Sequence, residues 1–309
     1  NNNVRFSASH AMSANPDSFD DSRGRIGPEI QGNVLTNNTI NGLFVRVATA
    51  LGQPVDRLTV TARFDDTDIV HVLTENLEMV GSPGGSLNGV ARIGGRLQVD
   101  PGTVVKLSAA RIEAMRGSAH LIAEGTPENP VIFTSLLDDR FGAGGTFDTS
   151  SNGSTSLPSP GDWGGLIFNA VSAGSIDHAL IAYGGGETPI AGGFSTFNTI
   201  EIQDRATVRI ANSVLEFNDN GQASDGRDGR GTNGSATIFV RQAQPVVINN
   251  VFRNNAGSII DINANAMISD IMKDPGRSTG ALDVGAPFGR SRLTPTVQFA
   301  DNSGPLIRL

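Results

Sequence analysis

The chain has 309 residues, of which 17% are charged and 6% aromatic, with 38 glycines and no cysteine. Disulfides and thiolate metal centres are excluded, and no apolar run approaches the ~20 residues a membrane-spanning helix needs. The formal net charge is −8, carried against 21 arginines and only two lysines, Lys106 and Lys273, so nothing electrostatic favours nucleic acid or an anionic membrane as partner.

Residues 1–27 read as a loose N-terminal segment or cap, since Pro16, Asp17, Asp20 and Asp21 interrupt a stretch with few apolar positions. From 28 to 309 the apolar residues fall in short alternating runs rather than at helical spacing, beginning with Leu58-Thr59-Val60-Thr61-Ala62-Arg63-Phe64. Two polar stretches, near 138–162 and 218–235, read as long loops inserted between such runs. Between them, alternation in Ile176-Asp177-His178-Ala179-Leu180 places His178 on the face of Ile176 and Leu180 and predicts a buried histidine.

Comparison of the chain with itself is more informative. An offset of 38 pairs Ile200 with Ile238, Ile202 with Val240, Val208 with Val246, Ile210 with Ile248 and Asn212 with Asn250, while the residues between them differ freely. Stacked coils demand this, because inward side chains must line up from one turn to the next. A second echo, P-x4-N-V-x2-N-N, occurs at Pro28 to Asn38 and again at Pro245 to Asn255. Asparagine tolerates left-handed corners and forms amide ladders between coils.

Asp100-Pro101-Gly102-Thr103-Val104-Val105-Lys106, Ala123 to Ser135 and Gly161-Asp162-Trp163-Gly164-Gly165-Leu166-Ile167-Phe168 together resemble a signature of bacterial right-handed β-helix proteins, which are often large, exported and repetitive. Arg63 to Leu73 and Asn302 to Leu309 are similar to stretches of such multi-repeat surface proteins. The expected fold is thus all-β, a right-handed parallel β-helix or β-solenoid with two long inserted loops. The resemblance implies an extracellular or cell-surface location and a structural or adhesive module. It says less about function than about fold, because one coil carries many roles.

A polysaccharide lyase or glycoside hydrolase acting on acidic glycans is the alternative, with Asp65, Asp66 and Asp68 or Asp138 and Asp139 as acids. Each of these also reads as a turn cap or a partner of Arg63 or Arg140. No nucleotide loop, zinc motif or nucleophile triad is present. Calcium is the one cofactor left open, with Asp138, Asp139, Asp225 and Asp228 as oxygen donors in glycine-rich loops, although a solvated turn explains them as well. Trp163 and Tyr183 are the sole tryptophan and tyrosine, which disfavours an aromatic sugar platform. Phe141 and Phe147 form either an exposed patch or a pin that fixes the first loop. Thr59 with Thr61 is too short a threonine array for an ice-binding face.

Finally, the apolar run Pro305, Leu306, Ile307 and Leu309, joined to a following Asn1, Asn2, Asn3 and Val4, approximates the internal asparagine corner. The chain therefore reads as one unit of a tandem or head-to-tail array, assembled through those residues.

Overall fold

The computed structural model describes residues 2–21, 27–48, 55–81, 94–153, 155–221, 234–267, 298–300 and 307–308. Among these, regular structure is almost entirely short parallel strand, with two one-turn 3-10 helices at Pro16–Phe19 and Ala264–Met267. No described helix is long and apolar enough to cross a membrane.

Three long sheets carry the fold. Sheet I has seven strands, from Leu77–Met79 through Ile112–Ala114, Leu166–Phe168, Ile200–Gln203, Ala236–Arg241 and Ser258–Ile262 to Ile307–Arg308. Sheet II has six, from Thr61–Phe64 to Val246–Ile248, and sheet III nine, from His10–Ala14 to Gln298–Ala300. From Leu77 to Arg253 the chain visits sheets I, II and III in turn and repeats, so each coil pairs in parallel with the coils before and after it. This arrangement is compatible with a parallel β-helix.

Register explains why these residues form these strands. In sheet I, Leu77, Ile112, Leu166, Ile200, Ile238 and Ile260 pair one above another and all are fully buried. Met79, Ala114, Phe168, Ile202, Val240 and Ile262 make a second inward column. Period-two alternation turns the residue between them outward, giving a column Glu78, Glu113, Ile167, Glu201 and Phe239.

The expected 38-residue offset holds in sheet I, where Ile200 pairs with Ile238 and Ile202 with Val240. It fails in sheet II, where Ile210 pairs with Val247, and Arg209 rather than Val208 pairs with Val246. Asn212 likewise bonds Asn249 at 2.5 Å, not Asn250. The offset is 37 there because the corner after Gln203 turns through two left-handed residues, Asp204 and Arg205, whereas the next coil turns through Gln242 alone. A slip of one residue exchanges the two faces of a strand, which is why Val247 is buried and Val246 and Ile248 are half-exposed.

Asparagine fixes the corners by a repeated device. The side chains of Asn38, Asn218, Asn250 and Asn255 each donate to a carbonyl of the preceding coil and accept from an N–H three residues further along it. The pairs are Val4 and Ser7, Ile181 and Gly184, Ile210 and Ser213, and Leu215 and Asn218. All four asparagines are buried. The P-x4-N-V-x2-N-N echo marks this clamp, since Asn38 and Asn255 occupy its last position and each follows a left-handed asparagine, Asn37 or Asn254.

At one end of the core, Phe19 packs edge-on against Phe64 at 4.7 Å, and Phe64 stacks on His71 at 4.5 Å. His71 is inward-facing and fully buried, and neither ring nitrogen has a hydrogen-bond partner among the described residues. Burial pulls its pKa from 6.5 down to about 3, so the ring is neutral in the fold.

Two outcomes follow. Asn218→Ala leaves the Gly184 N–H and the Ile181 carbonyl without their partner, and chemical denaturation is expected to show a loss of about 2–4 kcal/mol; an unchanged midpoint would refute the clamp. For His71, the unfolded chain takes up a proton at a pH where the folded chain does not. Stability therefore falls as pH drops from 6.5 towards about 3, by up to roughly 5 kcal/mol. His71→Leu should abolish that part of the acid dependence in melts run across this window, and an identical pH profile would contradict the assignment.

Candidate functional site

The outward face of sheet I forms the floor of a cleft of about 710 Å³, lined by Glu78, Glu113, Met115, Arg116, Ile167, Asn169, Gln203, Asp204 and Arg241. One wall is an antiparallel hairpin, Glu187–Ile190 with Gly193–Thr196, that leaves the coil after Ala179–Ala182 and supplies Pro189, Ile190 and Ala191. Its approach is close. A Cβ on Gly186 would lie 1.8 Å from the Gly161 carbonyl oxygen, and one on Gly164 would lie 2.5 Å from the Thr188 side-chain methyl, so glycine lets backbone meet backbone at the first and lets the hairpin side chain in at the second.

Arg111 ties the hairpin to the sheet. Its Nε donates to Glu113 at 2.8 Å, and its Nη1 donates to Thr188 Oγ1 at 2.9 Å and to the Pro189 carbonyl at 2.7 Å. The guanidinium lies 4.6 Å from the Phe197 ring centroid and 3.9 Å from Glu78. Asn76 completes the tie, accepting from Arg111 N and donating to the Pro189 carbonyl. The two acids are occupied as well: Glu78 accepts from Arg57 at 2.7 Å, and Glu113 accepts from Asn169 at 2.5 Å besides Arg111. Sequence reasoning missed this constellation, because Glu78 and Glu113 lie 35 residues apart in chain and meet only through the strand register.

The outward face of sheet III is covered instead. Residues 136–149 cross it as a strap, over an apolar patch of Ile40, Val70, Val72, Val104 and Ile132 to which Leu136, Ala143 and Phe141 contribute. Beneath lies Lys106, fully buried in the outward column between Val72 and Thr134. Its Nζ donates to the Phe147 carbonyl at 2.9 Å, and burial lowers its pKa to about 8 against the pull of Asp139, Asp138 and Asp148. The far end of the strap reaches Asn41, whose N–H and side-chain amide donate to the carbonyls of Thr149 and Asp148.

Asp138 belongs to this strap. One oxygen accepts from Arg140 Nε at 2.9 Å and the other from Thr134 at 2.5 Å and Arg140 Nη2 at 2.9 Å. Despite burial, these bonds hold its pKa below the usual carboxylate value. Arg140 also reaches Glu216, which in turn holds Arg253, each at 2.7 Å, and its guanidinium lies over Phe141, Tyr183 and Phe217. Phe141 is thus a pin, while Phe147 is half-exposed and fixes the strap through its carbonyl. Among the described residues no three His, Cys, Asp or Glu side chains are grouped to hold a metal ion. Asp225 and Asp228 lie outside the described residues.

Asp66 and Asp68 accept from the N–H groups of Ile30 and Gly32, tying residues 30–32 to the coil. Desolvation pushes Asp66 up to about 6 and raises Asp65. His178 is not the buried residue expected. It occupies a left-handed corner (φ 44°) between two strands, where alternation breaks, and its half-exposed ring contacts Asp177 at 2.7 Å. His71 is the buried histidine. Trp163 is fully buried and donates to the Ala182 carbonyl, Thr59 bonds Asp17, and Tyr183 stacks on Phe217. Of the residues expected at an assembly interface, Asn1, Pro305, Leu306 and Leu309 lie outside the described residues. Asn3 and Val4 pair with Val34 and Leu35, Asn2 bonds Asn33, and Ile307 pairs with Ile260.

Because Arg111 donates two of the bonds that tie the hairpin to the sheet, Arg111→Ala is expected to speed amide exchange in residues 187–197 by on the order of tenfold or more while sheet III stays protected. Unchanged exchange would show that the hairpin holds itself. No protein-family model, curated protein or solved structure matches this chain.

Proposed function

We propose that the chain is a non-catalytic structural or adhesive module of a bacterial cell-surface filament or giant exported protein. In this reading the coils wind as a right-handed parallel β-helix, and the stretches near 138–162 and 218–235 are loops inserted into it. The resemblance of Asp100 to Lys106 and Gly161 to Phe168 to exported repeat proteins supports the location. A stack of parallel coils grows by adding units, which suits a tandem or head-to-tail array.

The observation that carries the non-catalytic reading is the pairing of the cleft acids. A catalytic carboxyl must turn an oxygen to the reacting bond, whereas an acid clamped by donors of the fold is held in place. Glu113 is bonded on both oxygens and Glu78 is shared between Arg57 and Arg111.

A second reading, a lyase or hydrolase of acidic glycans, draws on one feature. Glu78 and Glu113 are paired on neighbouring strands and flank the same Arg111 guanidinium, which brings two carboxyls to one cleft. Incubation with pectate, alginate and other acidic glycans, with and without calcium, separates the two. The structural reading expects no new reducing ends and no unsaturated products. Turnover that disappears in Glu78→Gln or Glu113→Gln protein would replace it with the enzymatic one.

A further inference from the structure

The sheet I cleft contains one charge that the fold does not use. Glu78, Glu113 and Asp204 each face an arginine: Arg57 and Arg111 hold the first two, and Arg241 lies 3.4 Å from the third. Arg116 also lines the cleft, is exposed, and has no hydrogen-bond or ion-pair partner among the described residues. A guanidinium in that position binds carboxylate in a two-point fork.

The remaining lining narrows the ligand. The lining offers both donors and acceptors, with Asn169 and Gln203 alongside Glu78, Glu113 and Asp204, as a hydroxyl-bearing chain requires. Met115, Ile167 and Ile190 supply apolar surface for the C–H faces of a ring. Glu78, Glu113 and Asp204 are already matched by Arg57, Arg111 and Arg241, so among the described residues the cleft offers a single unmatched positive charge and suits a ligand whose anionic charges are sparse. Strand addition of a peptide is disfavoured because sheet I is already paired on both sides of the floor strands and the Pro189 carbonyl is taken by Arg111 and Asn76. The volume lies within the range of small-ligand sites.

We propose that this cleft binds a glycan whose carboxylates are separated by neutral sugars, with one uronate carboxylate on Arg116 and neutral hydroxyls on the acids and amides of the floor. The proposal rests on the adhesive reading of the module and names its ligand class.

Calorimetry on the full chain tests it with three probes: a hyaluronan decasaccharide, in which glucuronate alternates with N-acetylglucosamine; an oligogalacturonate, charged at every sugar; and a neutral dextran oligomer. The alternating probe is expected to bind best. Arg116→Ala should weaken that binding by about tenfold or more, with Arg116→Lys between the two, since lysine keeps the charge and loses the fork. Because Arg116 holds nothing in the fold, thermal melting should be unchanged in both variants. No binding of the alternating probe, equal or tighter binding of the oligogalacturonate or dextran, or binding indifferent to Arg116→Ala would overturn the proposal. A module that binds none of the probes and cleaves none remains a structural one, so the site fails alone. Cleavage of a bound probe would instead sink the non-catalytic reading and leave the site standing.

Discussion

Everything in this fold depends on vertical register. Hydrogen bonding between parallel strands sets neighbouring coils ~4.8 Å apart, and at that spacing an inward residue is packed chiefly by the residues directly above and below it. The column from Leu77 to Ile260 meets the requirement with branched aliphatic side chains throughout. Corners absorb what the columns cannot. Between Gln203 and Arg209 the chain spends one residue more than between Arg241 and Val246, yet both strands keep apolar residues inward, because Val247 takes the place Val246 would hold in a uniform repeat. The four asparagine clamps then lock their corners to the coil before with one carbonyl and one N–H each.

The outward faces are free of this rule, and they have diverged. Sheet III carries aliphatic residues and Lys106 outward, and a strap of its own chain buries them, leaving a lysine with a carbonyl for partner and acids near by. Sheet I carries Glu78, Glu113 and Glu201 outward, and among the described residues the chain returns over it as a narrow hairpin, held by Arg111. One face is closed and the other is left open beside a wall, so the surface that meets other molecules is decided by where the connections go rather than by the coil.

Much of the core was legible because columns leave a period in the sequence. Ile200 with Ile238 and the asparagine echo could be found by aligning the chain with itself. The slip in sheet II could not, since Val246, Val247 and Ile248 are interchangeable to the eye and the deciding event is a left-handed corner of one residue rather than two. His178 misled for a related reason, as alternation was carried through a bend. The cleft was invisible because its members, Asn76, Glu78, Arg111, Glu113 and Thr188, belong to three segments and carry no motif. Their neighbourhood is created by register, and only a known register would have revealed that Glu78 and Glu113 share an arginine.

The strap has a mechanical meaning. Between coils the stack is held by hydrogen bonds, ion pairs and side-chain packing, and the interstrand bonds point along its long axis, so tension on that axis would part them one coil at a time. Residues 136–149 run in that same direction as continuous covalent chain, anchored at Thr134 at one end and at Asn41 at the other, with Lys106 gripping them at Phe147 just before the second anchor. Load reaching these coils is shared with a peptide backbone fastened by three polar anchors, and the reinforced stretch must yield as a unit. A protein built from such coils would be stiff and strong where a strap lies and extensible where none does.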